Sequence, residues 1–150
     1  MKLAEALQER ADLNRAIEAL SVRLRNNALV QDGSSTPEDP NALLTALDAS
    51  IARLESLMTR INRTNSETMV DGCSLTALIA QKDALTLQIR VYRELISEAS
   101  QSVRRMSRSE ILIKSAVNVR DLQSKCDTLS KKLREVDNKL QATNWVTELL

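Results

Sequence analysis

The chain has 150 residues, 43% apolar and 27% charged, and a formal net charge of +1, so no global field favours nucleic acid or anionic lipid. Histidine is absent and aromatic residues make up 1%, which removes Ser-His and Cys-His nucleophiles, imidazole metal ligands and platforms for stacking bases. A length of this size fits one domain, residues 1–150, and the composition points away from an enzyme.

The opening MKLAEALQER carries Glu5 and Glu9 and no apolar run, so it does not read as a signal peptide. Apolar side chains at Leu3, Ala6, Leu13, Ile17, Leu20 and Leu24 then keep one helical face in register and predict a long amphipathic helix over residues 2–27. The loop Gln31 to Asp39 (QDGSSTPED) ends it. Asp39 reads as the N-cap of a second helix, with Pro40 in the first turn, where its missing N–H costs nothing. That helix runs from Pro40 to about Asn65 with a seam of Leu44, Leu47, Ile51, Leu54, Met58 and Ile61.

Asp71-Gly72, between Met69-Val70 and Cys73-Ser74, suits either a small β-hairpin or an ordinary interhelical loop. A third helix is expected from Leu75 to about Arg105, capped by Ser74, with a seam of Leu75, Leu78, Leu85, Ile89, Tyr92, Ile96 and Ala99. Ser107 to Asn118 breaks the helical period, and Ile111, Ile113, Val117 and Val119 suggest an extended or irregular segment. Asn118 then caps a fourth helix whose seam is Leu122, Cys126, Leu129, Leu133, Val136 and Leu140. The expected fold is therefore all-α: an elongated antiparallel bundle of four long amphipathic helices, its connections holding at most a short hairpin or extended segments. An offset of 72 residues superposes the first seam on the third, as a duplicated helical hairpin would, although heptads produce such echoes cheaply.

Cys73 and Cys126 stand too far apart for a zinc or thioredoxin motif, so no metal is expected and two free thiols in a reducing cytoplasm are. Carboxylates at helical spacing, such as Glu5, Glu9 and Asp12, lack the histidine of a di-iron motif, and no cofactor is expected. No 18-residue apolar run exists to span a membrane. Arg10 and Lys82 fall inside the first and third seams, as an anion site or, more simply, as register devices beside an acid. Arg90, Arg93, Arg104, Arg105 and Arg108 form the densest basic run, suited to an anion or an acidic partner, while nucleic acid would want aromatics and a basic total. Residues 1–75 carry 8 basic and 11 acidic side chains and residues 76–150 carry 13 and 9, a dipole compatible with self-pairing. Trp145 reads as an anchor for packing or for a subunit contact. With Ile111 and Ile113 it makes the candidate oligomer contact, and narrow leucine seams of this kind make a homo-oligomer, or a complex with a protein partner, the expected state.

Met1 to Leu7 (MKLAEAL), Arg10 to Leu13 (RADL), the loop from Val30-Gln31 to Pro37-Glu38-Asp39-Pro40, Arg60 to Asn62 with Thr64-Asn65, Ser107 to Ile111, and Asn144-Trp145 with Thr147 to Leu149 resemble the septicolysin-like family of small bacterial helical proteins. The similarity runs over nearly the whole chain and departs from the family at Met106, where an aromatic is expected. The resemblance implies a helical, oligomeric bacterial protein with no catalytic residues to transfer, and the name some members bear suggests a pore-forming cytolysin. The sequence offers that activity only Ile111 to Val117, far too short to cross about 30 Å of hydrocarbon as a helix.

Overall fold

Asp39 accepts the Asn41 N–H at 3.0 Å and Pro40 occupies the first turn, which fixes where the second of four long helices begins. In a computed structural model, which describes residues 1–101 and 113–150, the helices are α1 (Leu3–Asn26), α2 (Pro40–Glu67), α3 (Leu75–Ser100) and α4 (Val119–Val146). Between α2 and α3 lies a two-stranded antiparallel hairpin, β1 (Met69–Val70) and β2 (Cys73–Ser74), pairing Met69 with Ser74 and Val70 with Cys73. Its two-residue turn is Asp71 (φ 50°) and Gly72 (φ 82°), the left-handed pair that matches strand twist and that Asp-Gly adopts at low cost. The fold is all-α with this one small hairpin, as the sequence predicts, and α4 starts behind an Asn118 cap that accepts the Asp121 N–H at 3.1 Å.

Two compact units organise the chain. The first comprises Met1–Ser74 and Thr143–Leu150. Here α1 and α2 pack antiparallel around Leu3, Ala6, Leu20, Leu43, Leu57 and Ile61, all buried, with a bidentate Arg53–Glu9 ion pair along one edge. Buried Asn27 closes the interhelical loop: its side chain donates to the Arg23 carbonyl at 2.9 Å and accepts the Glu38 N–H at 3.0 Å, while the Arg23 guanidinium holds the Glu38 carboxylate. The two ends of the chain are stitched together. Leu3 N–H donates to the Thr147 carbonyl and Leu149 N–H to the Met1 carbonyl, both at 2.9 Å, and Lys2 and Glu148 form an antiparallel bridge. Leu149 is buried and Arg60 donates to the Leu150 and Leu149 oxygens at 2.8 and 3.3 Å.

The second unit is Leu75–Ala142. Its buried side chains are Leu75, Leu78, Leu85 and Ile89 from α3 and Cys126, Val136 and Leu140 from α4. The Lys82 ammonium meets Asp137 at 2.5 Å, and Tyr92 with Gln88 shares a surface groove with Ser124, Lys125, Thr128 and Leu129. The seams predicted for the first, third and fourth helices are those observed. On α2 the seam is rotated: Leu43, Leu57, Ile61 and Thr64 are buried, whereas Leu44, Ile51 and Met58 face outward. The α2 helix carries two adjacent apolar rows, and α1 packs against the one that includes Leu43 and Leu57. Residues 113–118 are irregular and contain no strand, and the remainder of the predicted extended segment lies outside the described residues.

Candidate assembly face

The outward row of α2 is the most regular exposed apolar feature among the described residues. Leu44, Ile51 and Met58 recur at seven-residue intervals and are 45%, 46% and 44% exposed. Seven residues is close to two helical turns, so the three stack in one line along the helix. Leu47 and Leu54, half-buried, fill the space between this row and the buried seam. A shallow groove lined by Ile51, Leu54, Glu55, Met58, Thr59 and Asn62 runs along the same face. Its outer border is acidic: Asp48 and Glu55 are exposed, and neither side chain has an ion-pair partner among the described residues. An amphipathic helix serving a single seam needs no second row, and an apolar row at heptad spacing is the surface another helix packs against.

A second such row lies on α3, where Leu87, Val91 and Leu95 are exposed and follow one another at four-residue steps. Trp145, an anchor candidate, is 61% exposed beside exposed Val146, so it packs in no core; Met1 and Leu150, at the stitched ends, are exposed too. Ile113 is exposed and borders a groove with Leu95, Ala99 and Val117, and Ile111 lies outside the described residues.

The predicted anion residues are not gathered into one site. Arg10 is half-buried in the first unit and has no ion-pair partner among the described residues, whereas Lys82, in the second, is engaged by Asp137. Arg90 is exposed and reaches Glu94 at 3.8 Å, Arg93 is exposed, and Arg104, Arg105 and Arg108 lie outside the described residues. Among the described residues no group of three or more Cys, Asp or Glu could hold a metal ion, and no helix is long and apolar enough to cross a membrane. Both cysteines are free, Cys73 exposed and Cys126 buried.

Ion pairing shapes the electrostatics of the first unit. The Arg53 hydrogen bonds hold the Glu9 carboxyl below the usual carboxylate range, Arg23 does the same for Glu38, and Lys2 with the Met1 amino group does so for Glu148. Sequence reasoning missed the second α2 row as a distinct surface, the burial of Asn27 and Thr64, and the stitching of the ends. Only the first had a visible signal, in the excess of apolar positions on α2.

The sequence profile described as a family of unknown function, DUF6847, matches residues 10–149. A solved structure described as a functionally unknown conserved protein from Corynebacterium diphtheriae is similar at 36% identity, with a TM-score of 0.94 over 100% of this chain and 99% of that one. No curated protein matches.

Proposed function

The chain belongs to the family of unknown function DUF6847, and we propose that it is a non-enzymatic interaction protein that self-assembles through the exposed apolar rows of its helices. The observation that carries this reading is the row Leu44–Ile51–Met58, a heptad seam left exposed by the helices among the described residues. Two free thiols, one of them exposed, support a reducing compartment such as the cytoplasm. The septicolysin-like resemblance belongs to the same proposal for its helical, oligomeric character. Its lytic connotation would need a membrane-crossing element, and no described helix qualifies.

Light scattering coupled to gel filtration over a range of protein concentrations tests the proposal, with dye release from anionic vesicles measured on the same sample. A discrete oligomer that leaves vesicles intact is the expected result. A protein that stays monomeric at high concentration, or that assembles only on lipid and releases dye, would overturn it.

A further inference from the structure

We infer, on the footing that the chain self-assembles, that the outward face of α3 is a two-fold contact with a second copy, the two α3 helices packing antiparallel so that each chain's Arg90 meets the partner's Asp83. The outward face carries Ala77, Ala80, Ala84, Leu87, Val91 and Leu95, all exposed. At about 100° per residue they fall within an arc of about 80°, turned away from the buried Leu78, Leu85 and Ile89. Their sizes are not mixed. The three alanines occupy the first half of the stripe and the three large side chains the second.

That gradient selects the occupant. A stripe running from small to large fits a copy of itself laid in the opposite direction. Antiparallel helices rise at equal rates, so a two-fold axis crossing α3 between Leu85 and Thr86 sets Val91 opposite the partner's Ala80 and Leu87 opposite the partner's Ala84, with Leu95 within one residue of the partner's Ala77. Each large side chain then meets a small one along the whole stripe. A parallel pair would stack large on large at one end and alanine on alanine at the other, so the helices could not close evenly.

The charges fall into the same register. Asp83 is exposed and has no ion-pair partner among the described residues, and Arg90, also exposed, reaches Glu94 only at 3.8 Å. Asp83 and Arg90 lie about 20° apart on one flank of the stripe, and an antiparallel two-fold lays each flank against its own copy. Arg90 then stands two residues, about 3 Å along the axis, from the partner's Asp83, within reach of an arginine side chain, and the pair occurs twice. On the other flank Gln88 comes to the same separation from the partner's Gln81, where two amides can exchange hydrogen bonds.

The test compares the intact chain with Val91→Glu, Asp83→Arg and the charge exchange Asp83→Arg with Arg90→Asp, by sedimentation equilibrium, with far-UV circular dichroism as the measure of folding. The expected result is an oligomer for the parent, whose mass falls for Val91→Glu at parental helicity. Asp83→Arg sets a second cation against Arg90 and should weaken association at least about tenfold, and the exchange should recover most of that loss. An oligomer whose mass and affinity none of these variants changes would overturn this contact and leave self-assembly standing, whereas a monomeric parent would overturn both. A response to Val91→Glu without one to Asp83→Arg, or without recovery by the exchange, would overturn the antiparallel register. Were Val91→Glu to lose helicity, the charge exchange, made at two exposed positions, still decides.

Discussion

Thr64 is the most tightly constrained polar residue in the described structure. It is fully buried, its hydroxyl donates to the Arg60 carbonyl at 2.9 Å, and the same oxygen accepts the Leu150 N–H at 3.0 Å. Valine has the same shape without the oxygen, so Thr64→Val should strand the Leu150 N–H and cost about 1–3 kcal/mol in urea unfolding, with the Leu149–Leu150 end losing amide protection first. A shift within experimental error would mean that Leu149 burial, its bond to the Met1 carbonyl and the Arg60 contacts hold the tail without the Thr64 hydroxyl. Lys82 invites the opposite expectation. Its side chain and that of Asp137 are each more than a third exposed, so their ion pair contributes at most about 1 kcal/mol after solvent screening. Lys82→Met should therefore leave the melting temperature nearly unchanged, and a large drop would assign the pair more than a register role.

At the level of elements, neighbouring positions on α2 should behave very differently. Leu57 is fully buried and Leu57→Ala should cost about 2–5 kcal/mol, whereas Leu44→Ala, on the outward row, should cost under about 1 kcal/mol at a fixed assembly state. Denaturant unfolding of the two variants checks the rotation of the seam directly. This is also where the sequence was ambiguous. The first and fourth helices show one main seam each, and on the third the predicted seam is the buried one although Leu87, Val91 and Leu95 form an outer row beside it. The second offers Leu43, Leu44, Leu47, Ile51, Leu54, Leu57, Met58 and Ile61, a stripe wide enough for two partners, and only the position of α1 decides which edge is buried. The Asp71-Gly72 hairpin and the Asp39 and Asn118 caps were legible because their chemistry is local. Thr64 and Asn27 were not, since the partners that license their burial lie 86 and 11 residues away in the chain. Arg10 was visible as a cation in a seam, but that it has no ion-pair partner among the described residues showed only once the hairpin was built.

For the molecule as a whole, acid should act unequally on the two units. Glu9, Glu38 and Glu148, the carboxyls held below their ordinary range by Arg53, Arg23 and Lys2, all belong to the first unit. A carboxylate whose folded pKa is depressed binds fewer protons folded than unfolded. Its stabilisation is therefore complete above the ordinary carboxylate pKa and is lost as pH falls through the folded value. These three groups also sit at the structural joins of that unit, the α1–α2 edge, the interhelical loop and the stitched ends, so their protonation loosens the contacts that hold it closed. The second unit buries Leu75, Leu78, Leu85 and Ile89 of α3 with Cys126, Val136 and Leu140 of α4, and none of the three lowered carboxyls belongs to it. Hydrogen exchange followed residue by residue between about pH 6 and pH 3 should show α1 and α2 losing protection before α3 and the body of α4. Simultaneous loss in both units would mean that they unfold as one cooperative body, and earlier loss in the second would mean that apolar burial, rather than the three ion pairs, sets the order.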